Sequence, residues 1–162
     1  MIYSALDIAR YVVNYCNSNN YEISNLKLQK ILYFIQANFV VEKGLENPCF
    51  YEQIEAWSFG PVIPEVYHEF KIFGNSQILP IEKYFSYNRK NILMSCMKKY
   101  ENPFINVEDQ RLADEMIDEC ENFSASQLVD ITHRQRPWRM AYVYNMNNPI
   151  TIESIYNYFT EE

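Results

Sequence analysis

Glycine is nearly absent: three residues in 162, Gly44, Gly60 and Gly74, no two of them close together. A P-loop or a dinucleotide fingerprint needs clustered glycines so that backbone N–H groups can approach phosphate, so neither can be built. Histidine is scarcer still. His68 and His133 are far apart and neither sits in a His-Glu-x-x-His run, which removes the metalloprotease motif. No Gly-x-Ser-x-Gly occurs, so a nucleophile elbow is missing too. The cysteines, Cys16, Cys49, Cys96 and Cys120, lie more than twenty residues apart with no Cys-x-x-Cys pair. A zinc site would have to be gathered from scattered ligands, and four reduced, mostly buried thiols are expected instead. No long uncharged apolar window and no apolar leader is found, so neither a membrane span nor export is expected and the cytoplasm is the expected compartment.

Basic residues are also in deficit, fourteen against twenty-one acidic ones, for a net charge of −7. Affinity for nucleic acid comes mainly from Lys and Arg neutralising phosphates, so direct nucleic-acid binding is disfavoured. An autorepressor role is disfavoured as well, because no clear basic recognition helix is present. Charge is uneven along the chain. Residues 101 to 123 hold eight acids and a single Arg111, whereas 132 to 142 hold three arginines and no acid. Distinct faces of opposite sign suit the orientation of a charged partner, and a solvated helix face accounts for the acidic run equally well.

What the chain has in quantity is apolar and aromatic material: 48% hydrophobic residues, with fourteen tyrosines and ten phenylalanines. That is enough for one core, and the length fits a single domain over residues 1–162. Ser4 begins a helix in which Ala5, Ile8, Ala9, Val12, Val13 and Cys16 share a face, stopped by the run Asn17 to Asn20. Ser24 or Asn25 caps a second, carrying Leu28, Ile31, Leu32, Ile35 and Phe39 to a cap at Gly44. Residues 54 to 59 alternate as a short strand, Gly60-Pro61 breaks it, and Pro64 opens a helix that Gly74 ends. Between 84 and 97 the pattern fits a helix around Ile92, Leu93, Cys96 and Met97, or a strand. Helices then follow from Val107, from the capping box Ser124-Ala-Ser-Gln127, and from Thr151. The expected fold is mainly α, a compact single-domain helical bundle with a small β element near residues 50–60.

Thr132 to Tyr142, THRQRPWRMAY, concentrates a histidine, three arginines and a tryptophan. Three readings stay open. In a structural corner, His133 satisfies helix-end carbonyls, Pro137 and Trp138 dock into the core, and Arg134, Arg136 and Arg139 point outward or pair with the acidic helix. In a second reading the arginines and tryptophan bind an anion or a partner, since both are preferred interface anchors. In the third, His133 serves catalysis with a cysteine or carboxylate. Glu65, His68 and Glu69 share one helix face, but half of a carboxylate metal site needs a matching second helix.

Three segments in order resemble one family: Asn25-Leu-Lys-Leu-Gln-Lys-Ile-Leu-Tyr33-Phe34; Ile54-Glu-Ala-Trp57 followed by Gly60-Pro-Val-Ile-Pro-Glu-Val-Tyr67; and Leu128 through His133 to Pro137-Trp138. Together they resemble the Panacea antitoxin domain, the SocA-like or phage-associated GepA-type family, across about residues 4 to 142; residues 75 to 107 carry none of the likeness. The resemblance implies a cytoplasmic bacterial or phage protein encoded beside a toxin that it neutralises by direct binding and occlusion. It also implies partnership with chemically diverse toxins, no enzymatic activity, no cofactor and no catalytic residue. The alternatives are an adaptor delivering the toxin or another client to an ATP-dependent protease, and a phage-encoded protein acting on a host factor. Leu28, Ile31, Leu32 and Trp57 are expected in the core, with Lys27, Lys30, His133, Arg136 and Trp138 in a shared pocket. Trp57 and Arg134 are further candidate contacts, and Asp114, Asp118 and Glu121 are expected to present an acidic face that mimics nucleic acid.

Overall fold

Five of the helices begin where a short polar side chain can accept a free backbone N–H, the usual solution at a helix start. The computed structural model describes residues 2–102 and 105–161. Ser4 caps α1 (Ala5–Ser18), Ser24 caps α2 (Asn25–Lys43), Asn106 caps α4 (Val107–Glu121), Ser124 caps α5 (Ala125–His133) with a full capping box, and Thr151 caps α7 (Ile152–Thr160). Between them lie α3 (Pro64–Phe70) and α6 (Arg136–Ala141), each with a proline in the first turn, where the missing N–H costs nothing. The fold is mainly α with a small β element, as the patterning predicts.

The β element is larger than expected. β1 (Ile54–Trp57) pairs antiparallel with β2 (Gly60–Val62) on one side and with β5 (Pro149–Ile150) on the other. Gly60-Pro61, expected to break the strand, is itself strand. Pro61 lacks an N–H, and β2 is an edge strand where none is required. Residues 83–99 form a hairpin, β3 (Lys83–Ser86) with β4 (Cys96–Lys99), around a short 3-10 turn at Ile92–Met94, so the strand alternative applies there. The stop falls within Asn17 to Asn20 as expected: α1 runs to Ser18 and Asn20 turns the chain at φ 58°.

α2 is the hub. It packs against α1, α3, α4, α5, α7 and β2, and most of its residues are buried around its whole circumference. Leu28, Ile31, Leu32, Ile35 and Phe39 supply the expected apolar face. Most of the polar positions are buried or half-buried too, and these reach out to neighbouring elements. Gln36 accepts from the Cys49 backbone at 2.8 Å and donates to the Phe50 carbonyl at 2.8 Å, fixing the approach to β1. Gln29 accepts from Ile63 N at 2.9 Å and donates to Asn25 Oδ1 at 2.9 Å, while Asn25 donates to the Tyr67 carbonyl at 3.0 Å. Asn38 donates to the Leu112 carbonyl at 3.0 Å, tying α4 alongside.

α1 and α4 meet along a seam of phenols and carboxylates. Tyr3 donates to Asp109 at 2.7 Å, Tyr11 to Asp114 at 2.6 Å, and Tyr15 and Tyr21 both to Asp118 at 2.9 and 3.0 Å. Burial and the adjoining carboxylate push the Tyr3 hydroxyl up to about 12 and those of Tyr11 and Tyr15 higher, so all three remain donors throughout the neutral range. Asp109 is fully buried, held by Lys43 at 2.5 Å and Asn106 at 2.9 Å as well as by Tyr3. Burial alone would raise its carboxyl, but these partners outweigh it and hold the group below its ordinary value. Such a depressed pKa contributes stability above the ordinary carboxylate range, and that contribution is lost as pH falls through the folded value. Asp109→Asn is therefore expected to cost about 2–3 kcal/mol at neutral pH, because Lys43 loses its buried counter-charge. In urea unfolding the gap from the parent protein should shrink steadily in acid; a gap independent of pH would show that the charge is not what matters.

Candidate partner-binding surface

The arginine-rich stretch occupies a corner where α5, α6, β1, β2 and α2 converge. At its base Lys30 is 0% exposed, donates one hydrogen bond, to the Pro61 carbonyl at 3.1 Å, and has no carboxylate partner among the described residues. Desolvation lowers its ammonium from an ordinary value near 10.5 to about 7. Gly60 is squeezed against it with φ +103°: a Cβ there would stand 2.7 Å from Lys30 Cε and 2.8 Å from Thr132 Oγ1. The glycine therefore serves close packing of α2, β2 and α5 as well as backbone freedom. Beside it Tyr33 donates to Gln135 at 2.9 Å and Thr132 to the Val129 carbonyl at 3.0 Å, closing off the polar interior.

Above this base the aromatics stack. His133 lies 4.0 Å from the Trp138 ring and Trp138 4.5 Å from Tyr142, both nearly parallel, while Trp138 Nε1 donates to the Trp57 carbonyl at 2.8 Å. The corner reading thus holds for Pro137 and Trp138, with one correction. His133 does not satisfy helix-end carbonyls: its Nε2 is the one buried side-chain polar atom without a partner among the described residues, and its ring stacks on Trp138 instead. The arginines take the outward alternative and do not pair with the acidic helix. Arg136 binds Glu161 and lies over the Tyr158 ring, because α6 abuts α7, and Arg134 and Arg139 are exposed.

The other candidates disperse. Lys27 is buried and pairs with Glu121 at 3.6 Å, away from Lys30, so the expected shared pocket is not assembled. Trp57 is half-buried rather than core. It donates to Glu55 at 2.7 Å and meets Tyr67 edge-on at 5.0 Å, because its position on β1 places it at the rim of the sheet. Asp114, Asp118 and Glu121 do not form a free acidic face, since each is tied to α1, α2 or the chain between them; the exposed acids of α4 are Glu108, Glu115, Asp118 and Glu119, and of these Asp118 is the one that accepts from Tyr15 and Tyr21. Among the described residues no group of three or more His, Cys, Asp or Glu side chains is placed to hold a metal, and no helix is long and apolar enough to cross a membrane.

What remains open is a cleft of about 590 Å³ beside Trp57, lined by Phe59, Val62, Tyr67, Tyr142 and Val143. Phe59, at the β1–β2 turn, is 67% exposed, and the loop after α6 holds Asn145 and Asn147 at positive φ. Sequence reasoning passed over Phe59 and Val143, which belong to no motif; only the pairing of β1 with β2 and β5 brings them to Trp57. A second groove, about 480 Å³, runs between α2, α4, α5 and α7 with Glu119 on its edge.

The family profile described as "Antitoxin SocA-like, Panacea domain" matches residues 28–139, and the chain belongs to that family. It is also similar to Antitoxin SocA of Caulobacter vibrioides (strain NA1000 / CB15N), 35% identical over 119 residues. That match takes in 72% of this chain and 58% of the curated relative, so the chain spans less than two thirds of the relative's length. No solved structure matches.

Two outcomes are expected at the corner. In the window above pH 7 the unfolded chain carries the Lys30 proton that the folded chain lacks, so stability should rise with pH by up to about 1.4 kcal/mol per unit until about pH 8.5. Beyond that the buried thiols of Cys16 and Cys120, pushed up to about 12 by burial, act in the opposite direction. Lys30→Met should flatten this rise in denaturant titrations, and an unchanged slope would reassign it. Gly60→Ala should lose about 2–3 kcal/mol through strain and overpacking; a loss below 1 kcal/mol would mean that Lys30 moves aside freely.

Proposed function

We propose that this chain is an antitoxin that neutralises a protein toxin by binding it directly and covering the surface the toxin uses, without catalysis of its own. The observation that carries the reading is the open aromatic cleft on a rigid frame. Tryptophan and tyrosine anchors at the centre of a contact supply much of the affinity of protein interfaces, and Trp57, Tyr67 and Tyr142 are held in place by hydrogen bonds and aromatic contacts before any partner arrives. A standard interface of about 800 Å² per partner is wide enough to occlude a substrate channel. Family membership supports the same reading, since the curated relative is itself named as an antitoxin.

The test is co-expression with the product of the adjoining gene, scored by growth and by co-purification. Growth rescue with a stable complex is expected. Phe59→Asp with Val143→Asp should abolish both while leaving the melting temperature close to the parent's, each anchor contributing about 2 kcal/mol. Retained binding by that variant removes the cleft from the interface. Rescue without a complex, accompanied by a shortened toxin lifetime, assigns the chain to the adaptor class instead. Absence of both rescue and complex ends the antitoxin reading.

A further inference from the structure

The β3–β4 hairpin has a composition unlike the rest of the chain. Residues 83–99 contain Lys83, Arg89, Lys90, Lys98 and Lys99 and no acid, five of the fourteen cations of a chain that is otherwise strongly acidic. Among the described residues, none of the four lysines has an ion-pair partner; Arg89 makes a loose, exposed contact with Glu65 at 3.5 Å.

The register fixes how these charges are presented. Tyr84 faces the body of the protein, with the Arg10 guanidinium 3.8 Å over its ring. Side chains alternate along a strand, so Lys83 and Phe85 face away from the body. Lys83 stands directly opposite Lys99, and Phe85 opposite Met97. Like charges directly opposite on one face destabilise a ladder, and a two-stranded ribbon is marginal in water on its own. The turn adds Ile92, Leu93 and Met94, of which Leu93 is 94% exposed. An arm that carries a lysine pair, an apolar pair and an apolar tip into solvent gains nothing from these groups in the isolated chain.

We propose that this hairpin is a docking arm for a protein partner whose own surface is apolar with an acidic rim. The inference rests on the antitoxin reading above and adds the chemistry of the partner's surface. Carboxylates seated beside Lys83 and Lys99 would cancel the repulsion between them, while Phe85, Met97 and the tip fill an apolar pocket. Met94 and Met97 are unbranched and adaptable, which suits an arm that must fit a shaped protein surface. A second copy of the hairpin is a poor occupant, because pairing two arms sets lysine against lysine. Nucleic acid gives no counterpart to three consecutive large apolar residues at the tip, and the overall negative charge opposes it.

Affinity for the purified product of the adjoining gene, and its salt dependence, are measured for the full chain as parent, Lys83→Glu with Lys99→Glu, and Leu93→Asp. The expected result is a loss of about tenfold or more in affinity for each variant, with the charge variant also losing salt sensitivity. All three positions are exposed, so unchanged circular dichroism and melting temperature are the folding control. Binding by the parent with both variants at full affinity overturns the arm and leaves the antitoxin reading standing. No binding by the parent overturns both. Parent chain that floats with vesicles of one part phosphatidylserine to three of phosphatidylcholine, or shifts a 20-base-pair duplex, in a Leu93- and lysine-dependent manner replaces the protein partner with that surface.

Discussion

The structure depends on one constraint: α2 is enclosed over most of its length, so each buried polar group on it must find a partner inside the protein. Buried polar groups left unpaired cost far more than paired ones contribute, so an enclosed helix with polar positions forces its neighbours into particular places. Gln36, Gln29 and Asn25 meet backbone groups at the approach to β1 and at the two ends of α3, and Asn38 adds a bond to a carbonyl inside α4. α2 thus sets the register of the sheet, the start of α3 and the height of α4 at once. Lys30 is the exception that shows the rule, a buried amine with one hydrogen bond and no counter-charge among the described residues, whose lowered proton affinity follows from its desolvation.

The abundance of tyrosine has its explanation in the seam between α1 and α4. A phenol places an apolar ring in the interface and a donor at its edge, so a helix rich in carboxylates can pack against the core without carrying those charges inside unpaired. This arrangement uses Asp109, Asp114 and, at the exposed end of the seam, Asp118 as acceptors for tyrosines, and leaves Glu108, Glu115 and Glu119 outside the seam. The acidic run is therefore two sets of residues with different work, a division that linear charge counting does not make.

Rigidity and openness are separated in space. The corner around Lys30, Gly60 and Thr132 is packed to contact distance, and the stack of His133, Trp138 and Tyr142 stands on it. The cleft at Phe59 and the hairpin tip at Leu93 are exposed beside this frame. A binding protein gains affinity when its contact groups are already ordered, because less entropy is lost on association. The family's motif residues supply both frame and cleft: Lys30, Gly60, Thr132 and Pro137 are buried, while Trp57, Val62 and Tyr67 line the cleft.

The sequence by itself determined the helices and their starts, since a capping side chain and a 3.6-residue apolar period are local properties of ten to twenty residues. Ser4, Ser24, Ser124 and Thr151 were legible for that reason, whereas α6, six residues long with Pro137 in its first turn, was too short to carry a period and was read only as a corner. The sequence also carried the family likeness, through three motifs whose order survives without knowledge of their contacts. Tertiary structure alone decided which polar residues face inward, because Lys27, Lys30 and Asp109 are indistinguishable in sequence from solvated charges. Only pairing across 31 residues of chain, as between Lys30 and Pro61, or across 106, as between Tyr3 and Asp109, assigns them. The same holds for β2 and β5, strands of three and two residues too short to carry a period, which exist because β1 offers them a free edge.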